Sequence, residues 1–152
     1  MPKPNQFLLF VGTVCYTGLI PLAPGTIASL IAIPFVWLLK RNQLIYVVIT
    51  ILTIIIGLVA AKHLSIIWHK KDDSRITIDE FVGTLVTFLL LPKINWLILL
   101  LGFILFRFFD IFKPLFIRKS EKVSDGIGVM FDDILAGIYT NLLLRIFVLI
   151  LY

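Results

Sequence analysis

Five long apolar runs, separated by short polar segments, make up most of this chain. They cover residues 27–39, 44–61, 76–91, 94–112 and 131–151. The first four runs end at charged residues or at a proline, and each of the five predicts one helix. The third run is short for the roughly 20 residues that a full membrane crossing needs. A further apolar segment at residues 7–20 ends at Pro21 and predicts an interfacial or re-entrant helix.

The composition extends this pattern to a fold class. Of the 152 residues, 60% are hydrophobic and only 15% are charged, against about 25% charged residues in soluble proteins. The mean hydropathy is +1.06, and a soluble domain of this length could not bury so much apolar surface. We predict an all-α integral membrane protein with about five transmembrane or partly re-entrant helices and an N-terminal interfacial segment. Residues 1–152 then form a single polytopic membrane domain.

The basic residues predict the orientation of these helices. Lys and Arg outnumber Asp and Glu by 14 to 9, and the excess lies in short connecting segments. With the N-terminus inside, the inner segments hold Lys3, Lys62, Lys70, Lys71, Arg75, Lys113, Arg118, Lys119 and Lys122, and the outer ones hold Lys40, Arg41 and Lys93. This distribution follows the positive-inside rule. It favours contact with the anionic head groups of the bilayer over binding to nucleic acid.

Five acidic residues lie inside the apolar runs or at their ends: Asp79, Glu80, Asp110, Asp132 and Asp133. A charged side chain at mid-membrane costs roughly 2.5 to 3.5 kcal/mol on insertion scales, so such residues usually have a function. In the predicted topology the third and fifth helices begin at the inner face, and the fourth helix ends there. All five carboxylates are therefore expected at one face of the membrane.

Small and polar residues follow the acids at helical spacing. Steps of three, four and seven from Glu80 reach Gly83, Thr84 and Thr87, and steps of four, seven and eight from Asp133 reach Gly137, Thr140 and Asn141. Residues at these steps share one face of a helix. Faces of this composition are typical of helices that pack against other helices rather than against lipid.

Carboxylates without a histidine or cysteine beside them favour a hard cation. Mg²⁺ typically takes one or two protein carboxylates and completes its shell with water and substrate phosphate oxygens. We therefore expect Mg²⁺ to bind among Asp79, Glu80, Asp132 and Asp133. Asp110 is a second choice as ligand or general base.

Two cations and a helix start accompany these acids. Arg107 and Asp110 stand three residues apart, so they share a helix face with Lys113 one turn further on. Arg107 can hold a phosphate in a bidentate fork, and Lys113 can hold it as a point charge. The backbone N–H groups at Gly25 and Thr26 offer a further anion contact at the start of a helix.

Less specific interpretations also fit these residues. Adjacent acids point about 100° apart on a helix, so one member of each pair can instead cap the helix or pair with a lysine. Arg107 can balance Asp110 in a purely structural ion pair. Arg145 lies in the last run without an evident acidic partner and is expected to extend outward to the interface.

Two other classes of function compete with a metal-dependent phosphatase. A small cation or proton transporter would also need carboxylates within the membrane. It should carry polar groups through the full membrane depth, whereas these acids lie on one side and the outer half is almost purely apolar. A non-catalytic adaptor that binds anionic lipid through the basic loop at residues 113–122 would not need five acids beside the helices.

Four sequence blocks add a family resemblance. They are Leu22-Ala23-Pro24-Gly25-Thr26 with Ser29; Ile78-Asp79-Glu80 with Gly83; Phe106-Arg107 through Asp110-Ile111 to Lys113-Pro114; and Gly126-Ile127-Gly128-Val129-Met130 through Asp132-Asp133 to Ala136-Gly137. In this order they resemble the phosphatidylglycerophosphatase A family. The blocks cover most of the chain, from Gly18 to Tyr139.

The resemblance implies a multi-pass enzyme of the bacterial inner membrane with its active site on the cytoplasmic face. Such an enzyme uses Mg²⁺ to remove the terminal phosphate of phosphatidylglycerophosphate, giving phosphatidylglycerol in phospholipid biosynthesis. The implied site comprises Asp79, Glu80, Arg107, Asp110, Lys113, Asp132 and Asp133, with Thr26 and Ser29 beside the substrate phosphate. Either an activated water or a carboxylate can be the nucleophile.

Overall fold

The computed structural model describes residues 4–70, 73–113 and 127–151. All regular secondary structure in these ranges is helical, which confirms the predicted all-α class. The α-helices are α1 (Gln6–Gly12), α2 (Pro24–Leu39), α3 (Gln43–Ile67), α4 (Ile78–Thr87), α5 (Trp96–Phe112) and α6 (Ile127–Leu151), and a 3₁₀ turn at Thr17–Leu19 follows α1. The predicted N-terminal segment thus consists of two short helical pieces.

Polar residues between the apolar runs determine where the helices begin. The side chains of Asn5, Asn42 and Asn95 accept hydrogen bonds from backbone N–H groups in the first turns of α1, α3 and α5. Such N-caps satisfy donors that have no partner inside the helix. Pro24 occupies the first turn of α2, where its missing N–H costs nothing and its fixed φ suits the helix.

Helices α3 and α6 are long and apolar enough to cross a membrane. Each contains 25 residues, or about 37 Å of helix against a hydrocarbon core of about 30 Å. Large apolar side chains such as Leu52 on α3 and Leu149 on α6 are exposed, as expected of surfaces that face lipid. The two candidate spans support a membrane protein, and the number of about five spans stays a prediction.

Helix α4 is short and lies at the centre of the protein. The apolar run predicted a helix over residues 76–91, but α4 ends at Thr87 and the chain continues without regular helix through Leu90, whose φ of 54° is left-handed. Every residue from Phe81 to Phe88 is buried. Helix α4 packs against α2, α3, α5 and most extensively against α6, so its polar groups face protein rather than lipid.

At the end of the bundle away from the acids, aromatic residues join α2 to α5. Trp37 near the end of α2 stacks on Trp96 at the start of α5, with ring centroids 4.6 Å apart. The Lys40 ammonium lies over the Trp37 ring and donates to the Ile94 carbonyl at 3.0 Å. Tryptophan and lysine at helix ends are typical of membrane interfaces.

Candidate active site

Three buried carboxylates meet where α4 and α6 begin. One oxygen each from Asp79, Glu80 and Asp133 lies within 4.8 Å of the others, the only such group of potential metal ligands among the described residues. Asp79 and Asp133 are almost fully buried. We call these three residues the carboxylate cluster.

A bound cation would relieve the mutual repulsion within the carboxylate cluster. Buried charges of the same sign at this separation destabilise one another strongly, because little solvent screens them. In addition, the buried Oε2 atom of Glu80 has no hydrogen-bond partner among the described residues. A buried oxygen without a donor implies a missing partner. The donor set, with oxygen atoms alone, fits a hard divalent cation.

Helix α2 brings its first turn against this cluster. A Cβ atom added to Gly25 would clash with Oε1 of Glu80 and lie only 2.7 Å from its Cδ atom. Only a glycine therefore allows the start of α2 to approach the Glu80 carboxyl group so closely. The N-terminal block that ends in Gly25-Thr26 and the acids of α4 are parts of one site.

Helix α5 contributes an ion pair beside the cluster. The Arg107 guanidinium donates to the Asp110 carboxylate three residues further on, and both side chains are largely buried. Both residues act electrostatically on Glu80, and Asp110 also acts on Asp79 and Asp133. The buried Nε of Arg107 has no acceptor among the described residues. Arg107 therefore keeps a donor for an incoming anion.

Asp132 lies outside the carboxylate cluster although it adjoins Asp133 in the chain. Its carboxylate accepts a hydrogen bond from Lys113 at 3.2 Å. The sequence prediction placed Asp132 among the metal ligands and Lys113 at the substrate phosphate. In the structure these two residues contact one another, a pairing that the alternative interpretation of adjacent acids allows, and their roles at the metal and the phosphate stay predictions.

The predicted phosphate contacts on α2 have different surroundings. Ser29 is fully buried, and its hydroxyl donates to the Gly25 carbonyl at 2.9 Å, so it stabilises the first turn of α2. Thr26 is partly buried beside Gly25. The Gly126 position and the basic residues Arg118, Lys119 and Lys122 lie outside the described residues.

A second set of polar contacts lies at the far end of α4, on the helix face where the sequence predicted polar packing at Asn141. Arg145 donates from Nε to Asn141 and from Nη2 to the Leu90 carbonyl. The expected outward extension of Arg145 is thus replaced by bonds to backbone acceptors. The i,i+4 spacing of Asn141 and Arg145 was the available signal for such a pair.

Comparisons with known proteins assign this chain to a family. The family model of "Phosphatidylglycerophosphatase A" matches residues 10–148. Phosphatidylglycerophosphatase A of Escherichia coli is 37% identical over 80% of this chain and 72% of its own length. The Haemophilus influenzae protein of the same name is 37% identical over 81% and 77%, respectively.

Another relative has a different name. A Bacteroides thetaiotaomicron protein named "Putative phosphatidylinositol-3-phosphatase" is 37% identical to this chain over 96% of both chains. No solved structure matches the chain.

Proposed function

Since the chain belongs to the phosphatidylglycerophosphatase A family and is therefore a phosphoric monoester hydrolase, we propose that it hydrolyses phosphatidylglycerophosphate to phosphatidylglycerol. The reaction would serve phospholipid biosynthesis. The observation that carries this proposal is the buried carboxylate cluster of Asp79, Glu80 and Asp133 with the donor of Arg107 beside it. Family membership also disfavours the transporter interpretation of the same acids.

The carboxylate cluster would hold Mg²⁺. Asp79, Glu80 and Asp133 supply oxygen ligands close together, and the unpartnered Oε2 of Glu80 leaves one ligand atom available. When bound, the ion would neutralise phosphate charge and help to activate the nucleophile. Asp132 remains a further candidate ligand or catalytic acid if its pair with Lys113 opens.

The cations beside the cluster would bind the phosphate that is removed. Arg107 can offer its Nε to a phosphate oxygen while the rest of its guanidinium keeps the bond to Asp110. Lys113 would add positive charge, and Thr26 would add a polar contact at the start of α2. Ser29 would act indirectly, by holding the turn that presents Gly25 to Glu80.

Hydrolysis requires a nucleophile at phosphorus and a proton for the leaving oxygen. A water molecule, or a carboxylate of the cluster followed by water, would attack the phosphorus, and the bond from phosphorus to the glycerol oxygen would break. Asp110 lies beside the cluster and can accept the proton of the attacking water, and this proton can then pass to the glycerol oxygen as its bond to phosphorus breaks. The products are inorganic phosphate and the glycerol hydroxyl of the lipid.

The long apolar helices and the lipid-phosphatase family indicate membrane association. We propose a single multi-pass domain of about five helices in the bacterial inner membrane, with the acids at the cytoplasmic face. Single cysteines placed at residues 62–75 and 113–125, in a Cys15→Ser background, should then resist impermeant thiol reagents in intact cells. Labelling of both segments from outside would contradict this orientation.

A second substrate has support from one relative. The Bacteroides protein named for phosphatidylinositol-3-phosphate hydrolysis aligns over 96% of both chains, which is a larger share than the two phosphatidylglycerophosphatases cover. Both candidate substrates are phosphate monoesters on lipid head groups, so the same cluster and cations could act on either. The choice between them would depend on contacts to the head group.

An assay with both lipids tests these proposals. Purified protein in detergent is incubated with phosphatidylglycerophosphate or phosphatidylinositol-3-phosphate, with or without excess chelator, and released phosphate is measured. We expect faster release from phosphatidylglycerophosphate, none with chelator, and recovery with Mg²⁺ or Mn²⁺ but poorly with Ca²⁺, whose larger shell fits an octahedral site badly. Full activity in chelator would exclude the metal mechanism. Faster phosphate release from phosphatidylinositol-3-phosphate would make that lipid, and not phosphatidylglycerophosphate, the proposed substrate.

A further inference from the structure

Helix α4 ends inside the protein, where every residue from Phe81 to Phe88 is buried. Its ten residues correspond to about 15 Å of helix, half of a hydrocarbon core of about 30 Å. The last four carbonyl groups of any helix have no partner within it. Away from water each such group must find a donor or cost several kcal/mol. The end of α4 therefore depends on side chains from neighbouring helices.

Asn141 and Arg145 on α6 provide these donors. The Asn141 amide nitrogen lies 3.0 Å from the Thr87 carbonyl oxygen and 2.9 Å from that of Leu89. Arg145 donates from Nη2 to the Leu90 carbonyl at 2.9 Å and from Nε to the Asn141 side-chain oxygen at 2.9 Å. The bond from Arg145 fixes the orientation of the amide, because it leaves the Asn141 nitrogen facing α4.

The same two helices carry the carboxylate cluster at their other end. Eight residues separate Asp79 from Thr87 on α4, and eight separate Asp133 from Asn141 on α6. Both intervals correspond to about 12 Å of helix. The helices therefore run side by side in the same direction, with the acids at one end and the Asn141 contacts at the other.

Between these ends the helices touch through glycines. A Cβ atom added to Gly83 would lie 2.8 Å from the Asp133 carbonyl oxygen, and one added to Gly137 would lie 2.5 Å from the Gly83 carbonyl oxygen. Such smooth backbone contacts allow a close approach. The Val86 side chain of α4 also packs beside Gly137, but backbone contacts by themselves constrain sliding along the helix axes only weakly. The directional bonds of Asn141 and Arg145 can supply that constraint.

We propose that Asn141 and Arg145 are positioning residues that hold α4 and α6 in the register the metal site requires. The inference rests on the proposed function, because it assigns the carboxylate cluster to a metal ion. A shift of α4 along α6 would move Asp79 and Glu80 relative to Asp133 and change the separation of the ligand oxygens. The contacts at the end of α4 thereby act on metal affinity from about 12 Å away.

Metal binding by substituted proteins tests this inference. Mn²⁺ binding to purified protein in detergent is measured from the loss of the free-ion electron paramagnetic resonance signal. Asn141→Leu keeps the side-chain size but removes the donor, and we expect about tenfold weaker binding, within the range for residues that orient metal ligands. Arg145→Lys, which keeps the charge but loses the bond geometry, should weaken binding less.

Thr140→Val provides the matched control. Thr140 is fully buried next to Asn141, and its hydroxyl bonds only to the Ala136 carbonyl of its own helix among the contacts described. The substitution should leave Mn²⁺ binding unchanged. Circular dichroism and thermal unfolding would verify that each protein is folded.

The possible outcomes separate this inference from the proposed function. The inference is overturned if Asn141→Leu unfolds at a lower temperature but binds Mn²⁺ with the affinity of the wild type. The Asn141 contacts would then only stabilise the fold. If Asn141→Leu does not fold, Arg145→Lys decides, since unchanged binding in that variant has the same meaning. A wild-type protein that binds no Mn²⁺ would contradict the metal site itself, whatever the variants do.

Discussion

Two groups of acidic side chains lie side by side at one end of the helices and differ in how their charge is balanced. In the carboxylate cluster, Asp79, Glu80 and Asp133 face one another. In the flanking ion pairs, Asp110 accepts from Arg107 and Asp132 accepts from Lys113. Side chains of both groups are buried or largely buried.

The difference separates acids that the protein pairs with its own cations from acids for which we propose a metal ion. A buried acid with a guanidinium or ammonium group beside it is stable without any ligand. Three carboxylates in contact repel one another, and the proposed Mg²⁺ would supply the balancing charge. Substitutions in the carboxylate cluster should therefore affect activity most, and substitutions in the flanking ion pairs should affect stability most.

The largest effect is expected from neutral amides in the carboxylate cluster. Asp79→Asn, Glu80→Gln and Asp133→Asn each remove a hard anionic ligand while keeping the shape of the side chain. Activity should fall about a hundredfold or more, which corresponds to roughly 3 kcal/mol of lost transition-state stabilisation. Heat stability should be equal or higher, because the amides relieve repulsion and are easier to bury.

Phosphate release and thermal unfolding, measured on the same preparations, check both parts of this prediction. Variants that insert poorly and melt early would show that the acids are structural. Near-normal turnover in all three would show that the carboxylate cluster is not the active site.

A smaller loss is expected when α2 is pushed away from the cluster. The Cβ atom in Gly25→Ala would collide with the Glu80 carboxyl group. Since displacing a catalytic group by about 1 Å can cost up to a hundredfold, we expect roughly a tenfold loss of kcat/KM. Kinetics with varied Mg²⁺ should show a higher concentration at half-maximal activity.

Gly57→Ala on α3 is the matched control for this substitution. Its Cβ atom would lie 2.8 Å from the flexible end of Met130, which can move aside. Activity of this variant should stay near that of the wild type. If Gly25→Ala were equally harmless, the contact between α2 and Glu80 would have no role in the site.

The sequence was sufficient to predict that the acids of the carboxylate cluster lie close to one another. Run lengths and basic residues fixed the predicted direction of each helix, and this brought Asp79, Glu80 and Asp133 to one end. The boundaries of α2 and α5 also followed closely from the apolar runs. The Gly25 block was assigned to the same face, and its contact with Glu80 agrees with that expectation.

Other features depend on information that residue types do not carry. Adjacent acids such as Asp132 and Asp133 have the same side chain, and only the rotation of α6 determines which one joins the cluster. The early end of α4 could not be seen either, because Phe88 and Leu89 are as apolar as the helix before them. Arg145 had no acidic partner to be found in the sequence, since its acceptors are backbone carbonyls.

Breaking a flanking ion pair should affect stability more than catalysis. Asp132→Asn removes the carboxylate that Lys113 contacts while Asp133 keeps its place. We expect a loss of about 2 kcal/mol in the free energy of unfolding and at most about a tenfold loss of activity. Thermal unfolding and phosphate release would be compared with those of Asp133→Asn.

The double variant Asp132→Asn with Lys113→Met tests whether this loss comes from the pair. Removing both charges should restore part of the stability, so the two substitutions would be non-additive. A loss of activity in Asp132→Asn as large as in Asp133→Asn would instead place Asp132 among the groups that contact metal or substrate. The contrast between the two neighbours would then be wrong.

The smallest effect is expected at an ion pair outside the carboxylate cluster, in the segment before α4. Asp73 accepts two bonds from the Arg75 side chain at 2.8 Å, and these bonds hold the pKa of Asp73 below its ordinary value. A lowered pKa means that the pair stabilises the fold fully above the ordinary pKa of aspartate and loses this effect as the pH falls through the lowered value. Because the Arg75 side chain is 45% exposed, Asp73→Asn should cost only about 1 kcal/mol at pH 7. Unfolding temperatures of the variant and the wild type should converge at acidic pH while activity at pH 7 stays near normal, whereas a marked loss of activity would extend the functional site into this segment.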